Sequence, residues 1–302
     1  MPTETPRLRI ISLGAGVQST TMSLMAQRGE FDVMPDAAIF ADTGWEPKDV
    51  YGHLDWLKTQ LTFPVHVVSA GNILSDVFAR RNTSGGRFAS VPWFTRTIVP
   101  AGTVVPVFDV GDNDEEVQVG ERTLATDEVS NGMGRRQCSS EYKLKPIMHK
   151  VRDLLGVGRR ARVPAGTVEV WIGMSTDEAS RMRDARQRYM TNRWPLVEKN
   201  MSRGDCLRWM EQRSLPTPPK SACIGCPFHD QCMWQTMRDQ RPEEFAQACE
   251  VDAALREGNA RGMRGLEFMH PARIPLREAV ELKAKADQPN LFDHECEGIC
   301  GI

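Results

Sequence analysis

The chain has 302 residues and 33.9 kDa, with 40% hydrophobic and 26% charged residues and a mean hydropathy of -0.41. That is an ordinary soluble composition, and the length is ample to bury a core. Lys and Arg total 38 against 40 Asp and Glu, so the net charge of -2 excludes a globally basic nucleic-acid binder, though not a local basic patch. No apolar run approaches the ~18–20 residues of a membrane span. The start MPTETPRLRI carries acid and proline where a secretion signal has a basic start and an apolar stretch, so the expected compartment is the cytoplasm and no membrane partner is expected.

In chain order, Arg7 to Leu13 predicts a buried strand, Gly14 to Ser19 a glycine-bearing turn, and Thr20 to Arg28 a helix. Ala37 to Phe40 predicts a second strand ending at Ala41-Asp-Thr-Gly44. Pro47 opens a helix over Val50 to Leu61, in which Tyr51, Leu54, Leu57 and Leu61 recur at helical spacing. Val65 to Val68 predicts a third strand. This alternation implies an α/β fold, a parallel twisted sheet flanked by helices, whose ligands bind beyond the carboxyl ends of the strands.

From residue 80 to 136 Gly, Pro, Ser and Thr interrupt the pattern. Gly111 to Glu116 reads as the acidic tip of a β-hairpin inside an insertion. A helix near Lys145–Leu155 and a strand at Val168–Ile172 follow. Pro216 to Pro219 forms a stiff linker toward a cysteine-bearing helical C-terminal part. The expected division is a nucleotide-binding domain over 1–200, carrying the insertion 80–136, and a cysteine-rich part with its tail over 201–302. Glu243 to Glu257 and Leu276 to Lys285 read as amphipathic surface helices.

A glycine-rich strand-to-helix turn presents backbone N–H groups and a helix N-terminus to an anion, and Gly14, Gly16, Ser19 and Thr20 supply that chemistry. No GxxxxGK[ST] occurs, so this is not the lysine-bearing phosphate loop. Cys223-Ile-Gly-Cys226-Pro-Phe-His229 is a CxxC at a turn, where two thiolates can meet one metal if further ligands close the site. Cys138, Cys206 and Cys232 are the thiols available for that. A redox dithiol at Cys223 and Cys226 is the other use of the pair. Arg80, Arg81, Arg87 and Arg96, and then Arg135, Arg136, Lys143 and Lys145, offer phosphate clamping. Phe88, Trp93 and Phe94 among them suit either base stacking or a small core under the insertion.

A strand, GAGVQST, a helix, and a second strand ending in ADTGWEPKDVYGHLDWL together resemble the PP-loop superfamily of adenine-nucleotide enzymes, and within it the phosphoadenosine phosphosulfate (PAPS) reductase-like group. That resemblance implies a PP-loop (HUP-like) fold. Gly14 stands where the family loop has its first Ser, Ala15 where it has Gly, and Gln18 where it has Asp, a position at which several sulfonucleotide reductases also carry Gln. Asp42, Thr43, Gly44, Glu46 and Tyr51 match the second motif. Arg135 to Pro146 and Ile172 to Arg181 resemble two further family segments. The matched stretches run from about residue 8 to 235.

The resemblance implies that Ser12, Gly14, Gly16, Gln18, Ser19, Thr20, Asp42, Thr43, Gly44, Arg136 and Lys143 bind the nucleotide, either ATP or PAPS/APS, with Mg2+. It implies catalytic roles for Asp42, Arg181 and the tail thiols Cys296 and Cys300. It also implies that Cys138, Cys206, Cys223 and Cys226 hold a [4Fe–4S] cluster, with Zn2+ as the alternative. Cys138 is followed by Ser139 where sulfonucleotide reductases have a second Cys, and the tail lacks the Gly-x-His that follows their nucleophile. The expected function is splitting of ATP to AMP and pyrophosphate to activate a nucleic-acid or nucleotide substrate, tRNA or DNA, for sulfur transfer or related modification. Reduction of PAPS or APS with a thioredoxin-like donor and non-catalytic nucleotide-binding regulation are the alternatives. In the first case a cysteine desulfurase is the corresponding sulfur donor.

Overall fold

A computed structural model describes residues 6–79, 91–110, 115–256 and 265–282. The first strand, β1 (Leu8–Leu13), is followed by α1 (Val17–Gln27), β2 (Ala37–Asp42), α2 (Lys48–Gln60), β3 (Val65–Ser69) and α3 (Ile73–Ala79). The insertion supplies β4 (Phe94–Val99), β5 (Val104–Val110), β6 (Glu116–Thr123) and β7 (Glu128–Met133). A π-helical turn at Ser139–Leu144 runs into α4 (Lys145–Leu154), and β8 (Val168–Ile172) leads through a 3-10 turn at Thr176–Arg181 to β9 (Met190–Arg193). The remainder is α5 (Pro195–Glu198), α6 (Arg203–Glu211), α7 (Gln231–Gln240), α8 (Pro242–Arg256), β10 (Leu266–Phe268) and α9 (Leu276–Ala279).

Five strands form one wholly parallel sheet in the order β3-β2-β1-β8-β9. Successive side chains of β1 point to opposite faces, so its apolar run needs cover on both. Ile11 and Leu13 face α1, α2 and α6, where Met22, Leu54, Leu57, Cys206, Trp209 and Met210 complete one core. Leu8 and Ile10 face α4, with Ile147, Val151 and Leu155 in the other. The expected strands and helices of this half are all present. Among the described residues no helix is long and apolar enough to cross a membrane.

The expected single hairpin of the insertion is β5–β6, with a bulge between Val107 and Phe108; its tip, residues 111–114, lies outside the described residues. Beside it β4 pairs antiparallel with both β7 and β10, a three-stranded sheet that joins the insertion to the C-terminal part. The segment 243–257 is not a surface helix. In α8, Phe245, Ala248, Val251 and Leu255 are buried in a third core with Trp93, Tyr142, Trp234 and Met269. Two of its acids, Glu244 and Asp252, are buried as well: Asp252 accepts from the backbone N–H groups of Met269 and Leu276, both at 2.9 Å, and from Arg256. The second expected surface helix also begins in the core, with Leu276 and Ala279 of α9 fully buried.

Candidate nucleotide site

β1 stops where Gly14 interrupts its apolar run, and the chain turns through Ala15 and Gly16 into α1. Ala15 holds a left-handed φ of 58°, a conformation that costs an L-residue roughly 1–2 kcal/mol. Gly16 is the helix N-cap, no side chain caps the first turn, and no acid lies within it. The N–H groups of that turn and the positive helix end are therefore turned toward the strand ends without an internal anion to answer them. An Ala15→Gly variant is expected to unfold ~2 °C higher, because relief of the strain outweighs the extra freedom of glycine by roughly 1 kcal/mol. An unchanged or lower midpoint in thermal unfolding would show the turn to be unstrained.

The crevice beyond β1 and β2 is narrow and lined by Ser12, Gly14, Ala41, Glu46, Lys143 and Ser221, among others. Two polar atoms in it are buried with no hydrogen-bond partner among the described residues, Ser12 Oγ and Glu46 Oε2. Buried polar groups normally find partners, so two orphans facing one crevice of about 10 Å³ mark a place for a polar group no larger than a water. Ser221 Oγ donates to the carbonyl of Gly14 and ties the C-terminal part to the turn.

At the end of β2, Asp42 Oδ1 accepts from the Gly44 N–H at 2.7 Å and from the Tyr51 hydroxyl at 2.8 Å. Burial and the neighbouring Asp42 carboxylate hold the Tyr51 phenol well above its ordinary pKa, so it stays a donor. Gly44 has φ 71°, and a Cβ there would lie 2.7 Å from Asn72 Nδ2, which donates to the Gly44 carbonyl. Thr43 Oγ1 donates to Glu46 Oε1 at 3.0 Å and lies 3.3 Å from Cys223 Sγ, which is itself 3.4 Å from the same carboxylate oxygen. The CxxC turn is thus fastened to the second motif, a contact reinforced by the Ile224 N–H on the Trp45 carbonyl.

The segment 172–181 meets α1 from the other side. A Cβ on Gly173 would come within 2.7 Å of the Ser19 backbone. Gln18 is fully buried; it donates to Glu178 at 3.1 Å and accepts from Arg203 at 2.9 Å, while Arg181 pairs with Glu178 at 2.5 Å. Gln18 and Arg181, expected to face nucleotide, are thus both bonded to Glu178. Thr20 Oγ1 lies 3.0 Å from His53 Nε2. Lys143 projects from the π-helical turn, a deviation that recurs at functional sites, into the crevice. Arg136 bonds Ser139 and packs over Phe228. The Asp-Glu pair of the matched segment carried a signal for Glu178. Ser221, Asn72 and Arg203 had none, since only the fold brings them here. Trp93, a candidate for base stacking, is fully buried and donates to the Gly225 carbonyl at 3.2 Å, so it is core.

The expected metal set is not assembled. Among the described residues no group of three or more His, Cys, Asp or Glu is placed to hold a metal ion. Cys206 is fully buried in the α1–α6 core, whereas Cys138 packs against the third core and Cys223 bonds Thr43 and Glu46. Packing of α6 turns its cysteine toward α1, and among the described residues no [4Fe–4S] or Zn2+ site is formed from the four thiols. Cys296 and Cys300 lie outside the described residues.

No protein-family model matches the chain, and no curated sequence matches it. Among solved structures it is similar to a phosphoadenylyl-sulfate (PAPS) reductase from Candida auris in its phosphate complex. The identity is 10% and the TM-score 0.40, over 71% of this chain and 76% of that one.

Proposed function

We propose that the chain is an adenine-nucleotide-dependent enzyme of the PP-loop kind, which splits ATP to AMP and pyrophosphate to activate a nucleic-acid or nucleotide acceptor for sulfur transfer or related modification. The observation that carries this reading is the uncapped, acid-free start of α1 opening on a crevice with two unanswered buried polar groups. The backbone N–H groups from Gly14 to Thr20 would hold the phosphates, Ser12 would donate to them, and Lys143 would neutralise charge developing on the leaving pyrophosphate. Asp42, with Thr43 and Gly44, would orient the adenosine. The Cys223 thiol lies 3.4 Å from Glu46, which lines the same crevice, and from there would present sulfur to an activated acceptor. The acceptor, tRNA or DNA, and a desulfurase donor belong to this proposal alone.

Reduction of a sulfonucleotide is the second reading, and Gln18 favours it. The family position that otherwise bears an acid carries an amide here, committed to Glu178 and Arg203. In that reaction a thiolate of Cys296 or Cys300 would displace the nucleotide from sulfur, and a thioredoxin-like dithiol would release sulfite.

Calorimetric titration with ATP and Mg2+, and separately with PAPS and APS, followed by product analysis, tests both. Tight ATP binding with AMP and pyrophosphate formation supports the first reading. Preference for the sulfonucleotide with sulfite release supports the second, and binding of neither below ~1 mM overturns both. In either case Gly173→Ala is expected to weaken nucleotide binding ~30-fold, because overpacking against Ser19 costs about 2 kcal/mol at the turn. Gly158→Ala, where no atom lies within 4 Å, is the neutral control.

A further inference from the structure

A largely apolar-walled cavity lies away from the α1 turn, on the α4 face of the sheet, beyond β8 and β9. Its volume is about 240 Å³. Val170, Ile172 and Met174 form its floor, and Ile147, Met148 and Met190 its walls. A dry apolar cavity of ~150 Å³ accepts one benzene-sized ring, so this space suits two fused rings. Its three methionine thioethers favour an aromatic face. Trp194 borders the cavity, and its Nε1 is buried with no acceptor among the described residues. A buried indole N–H calls for a partner, so the occupant must offer an acceptor atom.

The mouth is cationic. Lys145, Arg181, Arg183 and Arg186 border it with Asp184; Lys145 is paired with Glu141 and Arg181 with Glu178, so the cationic excess lies with Arg183 and Arg186. Arg183 spends one NH1 on the carbonyls of Ser180 and Met182, and Asn192 donates to the Arg183 carbonyl, which holds this loop in place over the cavity. Arg183 and Arg186 are both exposed, and neither makes an ion pair among the described residues. Fork-shaped guanidinium groups at a rim suit a carboxylate or phosphate.

We propose that this cavity is a second ligand site, which takes a bicyclic heteroaromatic anion: its fused rings lie on the methionine-lined floor, a ring acceptor meets Trp194 Nε1–H, and its carboxylate or phosphate meets Arg186 and Arg183. The site shares only Ile147 with the crevice at the α1 turn and does not rest on the nucleotide reading of that crevice.

The test follows the indole N–H signals of the 15N-labelled full chain. Seven tryptophans give seven candidate signals, and Trp194→Phe identifies the one that belongs to Trp194. The probes are guanosine 5′-monophosphate, quinoline-2-carboxylate and neutral quinoline. At least one of the two anions is expected to move the Trp194 signal downfield and to saturate below 1 mM, at least tenfold tighter than quinoline. The anion that does so tells whether the natural occupant is a nucleotide or an aryl carboxylate. Arg186→Gln should weaken that binding about tenfold, and Ala185→Trp, which fills the cavity from its loop, should abolish it with the other indole signals unmoved. The proposal is overturned if neither anion moves the Trp194 signal, or if binding survives Ala185→Trp.

Discussion

Replacing Gly225 by alanine is expected to cost about 3 kcal/mol of stability, the upper end of the usual range for overpacking a core. An added Cβ would stand 2.0 Å from Trp45 Cη2 and 2.4 Å from Cζ3, inside any tolerable contact. Trp45 cannot simply rotate away. It is buried in the third core, its Nε1 donates to Gln247 at 2.8 Å, and its carbonyl accepts from Ile224, next to the substituted residue. Urea unfolding should show the loss. In a Trp45→Leu background, where the clash is absent, the same substitution should cost less than about 1 kcal/mol. Gly52→Ala in α2, with nothing within 4 Å, should instead stabilise by up to ~1 kcal/mol through helix propensity. Equal costs in the wild-type and Trp45→Leu backgrounds would sink the argument.

Acidification from pH 7 to pH 4.5 is expected to exhaust most of the stability. Burial pushes His53, His229 and His270 down to about 4 each. Their contacts agree with neutral rings. His270 Nδ1 accepts from the Ala272 N–H, which leaves Nε2 to donate to Gln231; His229 Nε2 faces the Cys223 carbonyl, and its Nδ1 is buried without a partner among the described residues. Above pH 6.5 the rings are neutral in folded and unfolded chains alike and stability is full. As pH falls from 6.5 toward 4 only the unfolded chain gains the protons, so stability is lost across that window. Each ring contributes up to roughly 3 kcal/mol, against the ~5–15 kcal/mol typical of a folded protein. The urea midpoint should fall steeply between pH 6.5 and 5, and His270→Gln should remove about one proton from the slope. A midpoint constant over that range contradicts the prediction.

The parallel sheet was legible because its signals are local. Short branched runs at 8–13, 37–42 and 168–172, glycine at 14 and 16, and Pro47 before α2 each mark an element within a few residues. The three-stranded sheet was not, because β10 pairs with β4 across about 170 residues and neither strand announces a distant partner. α8 misled for another reason. Asp252 and Glu244 look like surface acids, yet they accept backbone N–H groups of Met269, Leu276 and Lys48. At the site, glycine and carboxylate patterns disclosed the turn, Asp42 and the 172–181 segment. Spacing alone could not tell a cysteine facing α1 from one facing Glu46.

The place of β1 at the centre of the sheet has a consequence for how the chain reaches its fold during synthesis. β1 has β2 on one side within 30 residues, but on the other side Leu8 must wait for Val168 and Ser12 for Ile172. At ~5–20 residues per second, roughly ten to thirty seconds pass between making the first strand and its second neighbour. For that time one edge of this apolar strand has no partner, and the turn from Gly14 to Thr20 lacks the Gly173 backbone that abuts it. The nascent chain therefore passes through a stage with an open strand edge, the kind of surface that recruits chaperones or other chains. The turn from Gly14 to Thr20 is thus completed long after it is synthesised, once the segment around Gly173 emerges.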